Sequence, residues 1–147
     1  MSSSYFQSFR DMVVWQQSFD FAKGILALNK SLPSEERYGL LSQLGRAAVA
    51  IPAQIAQGQR KRVRNEFLRH LSYAQANAAE CETYLLLVQD LFPDQAEQTS
   101  RLRETNSIIQ KMLGALMYAI DHPKLKKADE QSETIKAQEP TRVPVAA

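Results

Sequence analysis

Apolar residues recur along this chain at helical spacing in four successive runs. In the first, Asp11 is placed to cap a helix, and Met12, Trp15, Phe19, Ala22 and Leu26 fall on one stripe. Val14, Phe21, Ile25 and Leu28 form a second stripe beside it. A helix that lines only its own bundle needs about a third of its circumference apolar. Two stripes therefore predict burial on two sides, within the fold and against another subunit. Leu32-Pro33 ends the run, Ser34 to Arg37 reads as a short capped turn, and Gly39 supplies a bend.

The second run places Leu40, Leu44, Ala47, Ile51 and Ile55 on one face, with Ala48, Ala50, Ala53 and Ala56 keeping the rest small. Small side chains let neighbouring backbones approach closely. Pro52 removes a helical hydrogen bond and crowds the preceding turn, at about 3 kcal/mol unless a kink absorbs it, so a bend is expected near residues 48–52. Gly58 suits the position after a helix end, so the helix is expected to stop there and release the following residues as a loop. The third run, Phe67, Leu71, Ala74, Ala78, Cys81, Leu85 and Val88, is the most regular. Phe92-Pro93-Asp94 breaks it. The fourth uses Leu102, Ile109, Leu113, Leu116 and Ile120 and stops at His122-Pro123.

Four amphipathic helices with short connections predict an all-α fold, an antiparallel up-down four-helix bundle with its second helix kinked at Pro52. The chain divides into a polar lead at 1–10, the bundle at 11–122 and a tail at 123–147. The tail is rich in Lys, Glu, Asp, Gln, Pro and Ala and has too few large apolar residues to bury, so it is expected to be flexible or disordered.

Composition narrows the class. At 147 residues, 44% apolar and 23% charged, with 5 Gly and 6 Pro, the chain fits one helical domain rather than a turn-rich β fold. Cys81 is the only cysteine, which excludes an intramolecular disulfide and a paired-cysteine metal site. The first residues have neither the cationic start nor the apolar run of a signal peptide, and no window reaches the roughly 18 apolar residues of a membrane span. A cytoplasmic protein with no membrane partner is the expectation.

The net charge of +2 is too small to imply a polyanion partner, but the charges are unevenly placed. Arg60, Lys61, Arg62, Arg64 and Arg69 stand against Glu66 alone between residues 59 and 70, whereas residues 71–92 carry acids and no Lys or Arg. Such a cluster can hold phosphates by releasing counterions, making RNA or DNA the candidate ligand, or it can be a solvated loop that aids solubility. Base stacking on an interleaved aromatic has little support in this stretch. Arg46 lies in the Ala-rich helix, where a charge needs a partner, and Glu80 on the next helix is placed to pair with it. His70 and His122 raise metal binding, but no Glu-x-x-His pair occurs, and Glu66 to His70 is one residue too long. Cys81 falls on the apolar seam as a small hydrophobe. No nucleophilic arrangement and no glycine-rich phosphate loop are present, so neither an enzyme nor a cofactor is expected.

Several segments together resemble a known family. They are Phe9-Arg10-Asp11-Met12-Val13-Val14-Trp15-Gln16, Glu36-Arg37-Tyr38-Gly39-Leu40, Gln43-Leu44-Gly45-Arg46-Ala47-Ala48, Ile51-Pro52-Ala53-Gln54-Ile55-Ala56-Gln57-Gly58, Glu66-Phe67-Leu68 and Glu80-Cys81-Glu82-Thr83. The combination resembles the four-helix-bundle proteins encoded in intervening sequences of bacterial large-subunit ribosomal RNA genes. The resemblance implies an up-down bundle assembled as a homopentamer. It also implies kinship with the accessory variability proteins of diversity-generating retroelements, which bind nucleic acid and a partner reverse transcriptase through basic surfaces. Similar sequences carry Asn and Glu where this chain has Gln54 and Gln57. The expected function is that of a non-enzymatic, homo-oligomeric, nucleic-acid-binding accessory factor; the alternative is a structural or protein-interaction module with no nucleic-acid role.

Overall fold

The structure, a computed structural model, describes residues 8–36 and 39–123. Most of the polar lead, and the tail from residue 124 onward, lie outside the described residues. Four helices account for most of what is described: α1 (Val13–Ser31), α2 (Leu40–Lys61), α3 (Arg64–Leu91) and α4 (Ala96–Asp121). Short 3-10 turns at Phe9–Asp11, Ser34–Glu36 and Pro93–Gln95 precede α1, α2 and α4. Helix α1 packs on α2 and α4, and α3 packs on the same two, which closes the four into a ring. Neighbours run antiparallel: Asn29 near the end of α1 donates to the Leu41 carbonyl at the start of α2, and Asn106 of α4 reaches the Ala78 carbonyl in mid-α3. The expected all-α up-down bundle is what forms.

Helix α1 does not start as expected. Asp11 ends the first 3-10 turn instead of capping α1; Ser8 caps that turn by accepting from the Arg10 N–H, and the residue ahead of α1 is Met12, with no side-chain cap. Met12 is 1% exposed, so apolar anchoring, not a carboxylate, fixes the entry of the chain. The two stripes of α1 also separate. Val14, Phe21, Ile25 and Leu28 enter the core with Ser18, whose hydroxyl is satisfied by the Val14 carbonyl at 2.6 Å. Of the other stripe Met12 and Ala22 are buried, Trp15 is half-buried, and Phe19 and Leu26 are each 45% exposed.

Helix α2 buries Leu41, Leu44, Ala48, Ile51 and Ile55 and continues on both sides of Pro52, which is itself buried. It does not stop at Gly58. It runs to Lys61 and ends on Arg62 in the left-handed region, φ 57°. Gly58 serves a close crossing instead: a Cβ there would lie 2.7 Å from the Cβ of His70 and 3.1 Å from Cδ1 of Phe67. The expected basic loop thus shrinks to Arg62 and Val63 between two helices.

The seam of α3, from Phe67 through Leu71, Ala74, Ala78, Cys81 and Leu85 to Val88, is buried along its whole length. Ile109 and Leu113 complete the core from α4. Among the described residues no helix is long and apolar enough to cross a membrane.

Candidate nucleic-acid interface

The basic residues gather where α2 hands over to α3. Arg60 and Lys61 are in the last turn of α2, where the negative end of the helix dipole favours cations. Arg62 is the left-handed link, Arg64 opens α3, and Arg69 lies further along it. All five are exposed. They are not equally free.

Arg64 reaches across to α4. Its Nε donates to the Ile120 carbonyl at 3.1 Å, and its Nη2 donates to the Asp121 carbonyl at 3.1 Å and to Asp121 Oδ1 at 3.2 Å. These carbonyls belong to the last turn of α4, which has no helical donors left, so Arg64 acts as a cap supplied by another helix. Lys61 Nζ and Arg69 Nη2 converge on Glu66 Oε2, at 3.3 and 2.6 Å. The Lys61 hydrogen bond, then that of Arg69, holds the Glu66 carboxyl below its usual range. Arg60 and Arg62 enter no ion pair within 4 Å among the described residues.

Behind this surface sits His70. It is 6% exposed, with Nδ1 2.7 Å from Gln54 Oε1. Burial, and then the charges of Lys61 and Arg69, push its pKa down, so the ring is neutral at pH 7. A neutral ring facing a carbonyl oxygen carries its proton on Nδ1, which leaves Nε2 buried without a partner. Gln54 is thereby engaged by His70.

Tyr73 was not among the residues singled out from the sequence. It is 45% exposed one turn beyond Arg69, whose guanidinium carbon lies 6.0 Å from the ring centroid. His70 meets the same ring edge-on, with centroids 5.9 Å apart. The Arg69-to-Tyr73 spacing of one helical turn was the available signal.

The expected Arg46–Glu80 pair does not form. Both residues are exposed, and Glu80 Oε2 accepts from the Tyr84 hydroxyl at 3.0 Å, which raises the Tyr84 pKa. Gly45, Ala47 and Ala48 around it are buried while Arg46 itself is exposed, so its charge needs no partner. Cys81 is fully buried, and desolvation, followed by the charge of Glu80, pushes its thiol up to about 12, well away from nucleophilic use. His122 stacks on Tyr118 at the end of α4, remote in sequence from His70. Among the described residues no group of three or more His, Cys, Asp or Glu could hold a metal ion.

A separate feature lies between α1 and α2. Phe9, Trp15 and Phe19 stack in sequence, with centroids 5.2 and 5.0 Å apart, and Lys23 Nζ stands 5.4 Å from the Phe19 centroid. With Leu26, Val49 and Ala53 they line a shallow apolar groove. Across the bundle, Leu68, Met117 and Tyr118 line a second depression between α3 and α4.

The chain has no match among curated proteins. It is similar to a solved structure of a protein of unknown function from the S23 ribosomal protein family of Bacteroides thetaiotaomicron VPI-5482. The two are 27% identical with a TM-score of 0.66, over 71% of this chain and 98% of that one. Residues 10–115, from the turn before α1 to well inside α4, match the 23S rRNA-intervening sequence proteins, and the chain belongs to that family.

Proposed function

We propose that this protein is a non-enzymatic, self-associating helical bundle that binds RNA or DNA through the corner between α2 and α3, as an accessory factor to a larger machine. The observation that carries the reading is the concentration of five exposed cations around that corner, with Glu66 and Asp121 as their ion-pair partners. Arg60 and Arg62 are the primary phosphate contacts, since among the described residues they have no ion pair to give up on binding. Lys61 and Arg69 contribute once phosphate competes with Glu66, and Arg64 contributes least because it caps α4. Self-association draws support from the exposed part of the α1 stripe, Trp15, Phe19 and Leu26, and a homopentameric ring would repeat the basic corner around its axis and multiply weak contacts. A relation to retroelement accessory proteins, and a reverse transcriptase as partner, belong to the same proposal.

Filter binding to single- and double-stranded RNA and DNA at about 50 and 200 mM salt tests it, because phosphate contacts make affinity fall steeply with salt. Arg60→Glu with Arg62→Glu should remove most binding and leave the oligomer intact. Affinity that is undetectable at the lower salt, or indifferent to salt, sinks the reading. The α1–α2 groove favours the second reading, a protein-interaction module, and assembly without detectable nucleic-acid binding would select it.

A further inference from the structure

We infer that the basic corner is built for unpaired bases: Tyr73 is a stacking platform, and Arg69 and Lys61 beside it add to the phosphate contacts of Arg60 and Arg62 along a single strand. The inference rests on the nucleic-acid reading above and names its ligand class. Three observations carry it. The Tyr73 ring is 45% exposed, whereas the other rings in this part of the helix, Phe67 and His70, are buried. The Arg69 guanidinium stands over the Tyr73 ring at 6.0 Å, and a base, which always has a π-face, takes that face by displacing the guanidinium toward its own phosphate.

The ring is also held in place. His70 packs beside it with the ring planes near perpendicular, and His70 itself is fixed by Gln54 and by the close passage of Gly58, so Tyr73 has an ordered neighbour at the α2–α3 crossing. An ordered ring loses little rotamer freedom on binding. Finally, Arg69 lies against the ring and one turn before it, about 6 Å along the helix axis, and Lys61 joins Arg69 through their shared Glu66 carboxylate. A base on Tyr73 therefore brings its flanking phosphates to these cations. A duplex keeps its bases stacked inside and gains from the cations alone.

Glu66 then has a definite role. It holds Lys61 and Arg69 in the absence of ligand and competes with phosphate for them, which tempers affinity for any polyanion.

The test is fluorescence anisotropy with the full chain, using a labelled strand of about 12 nucleotides as oligo-U RNA, as oligo-dT DNA, and as the matching duplexes. Wild type should prefer the single strands, and the RNA and DNA arms show whether the sugar matters. Tyr73→Ala should weaken single-strand binding by about 5- to 150-fold and leave duplex binding within about twofold, while Tyr73→Phe binds as wild type. Glu66→Gln should tighten binding to both forms and steepen the salt dependence. Tyr73→Ala that leaves single-strand affinity unchanged, or weakens the duplex equally, overturns the platform and leaves the nucleic-acid reading standing. Wild type that prefers the duplex overturns it too. Wild type that binds neither form removes both.

Discussion

The residue with the clearest double duty is Gly58. From the sequence it reads as a helix stop, because glycine after an apolar run so often takes the left-handed position. In the fold that position falls to Arg62, and Gly58 lies where α2 passes close against α3. Nothing along α2 itself distinguishes the two uses, since the reason for the glycine lies on α3, in His70 and Phe67. Gly58→Ala gains about 1 kcal/mol of helix propensity but sets a Cβ against a Cβ, where neither can rotate away. We expect a net loss of about 1–2 kcal/mol by urea denaturation. Gly24→Ala is the control: its Cβ would meet the mobile end of Leu102, at 2.8 Å, and should leave stability within about 1 kcal/mol of wild type. Equal stability of the two variants would contradict this account. His70 gives a second residue-scale expectation. Its folded pKa lies below its unfolded value of about 6.5, because burial and the cations Lys61 and Arg69 outweigh Glu66. The unfolded chain then takes up the proton first, so stability is full above about pH 6.5 and falls as pH drops below it, until the folded ring also titrates. The depressed Glu66 carboxyl adds a separate loss only below about pH 4.5. Between pH 7.5 and 5.5 the stability of wild type should therefore fall more than that of His70→Gln, and parallel profiles would show that His70 carries no such linkage.

At the scale of elements, what the sequence made legible was periodicity, and what it hid was geometry between helices. The α3 seam was readable residue by residue because one strict repeat faces one core, and every member from Phe67 to Val88 is buried. The two stripes of α1 were also readable, though not which one the fold keeps; that depends on where α2 and α4 lie. The basic stretch was read as a loop because Gly58 was read as the end of the helix before it, yet Arg60 and Lys61 extend α2 on its solvent side and Arg64 starts α3. Arg64 shows most clearly why residue type alone misassigns a role. Its three hydrogen bonds to Ile120 and Asp121 close the end of α4. Arg64→Ala should cost about 0.5–1 kcal/mol, modest because the side chain is half exposed. Amide exchange in the last turn of α4 should accelerate while α1 is unchanged. Arg64→Lys should recover only part of the protection, because an ammonium cannot span both carbonyls as the planar guanidinium does. The same Ala variant should weaken nucleic-acid binding less than Arg60→Ala with Arg62→Ala. If it weakens binding more, Arg64 leaves its cap to meet phosphate.

For the whole molecule, the ring order of the helices restricts how the proposed self-association can be built. The pair α1–α2 and the pair α3–α4 occupy opposite sides, so the groove at Trp15, Phe19 and Leu26 and the depression at Leu68, Met117 and Tyr118 face away from each other. A contact between groove and groove is two-fold and ends at a dimer. A contact between the groove of one copy and the depression of the next is head-to-tail and continues until a ring closes, which is the arrangement a pentamer needs. It also leaves the outer side of α2 and α3, with Tyr73 and Arg69, open on every subunit. Charge-bearing substitutions separate the two modes. Phe19→Glu and Tyr118→Glu each alter an exposed side chain, 45% and 57% accessible, so the fold should survive both. In the head-to-tail mode each variant alone is monomeric by light scattering, since each has lost one of two necessary faces. Mixing them restores a single good contact, the intact groove of one against the intact depression of the other, and yields a heterodimer that cannot grow. In the two-fold mode Tyr118→Glu assembles like wild type and the mixture forms no new species. A heterodimer in the mixture thus selects the ring, and its absence, with Tyr118→Glu still assembled, selects the dimer and removes the repeated basic rim on which multivalent binding depends.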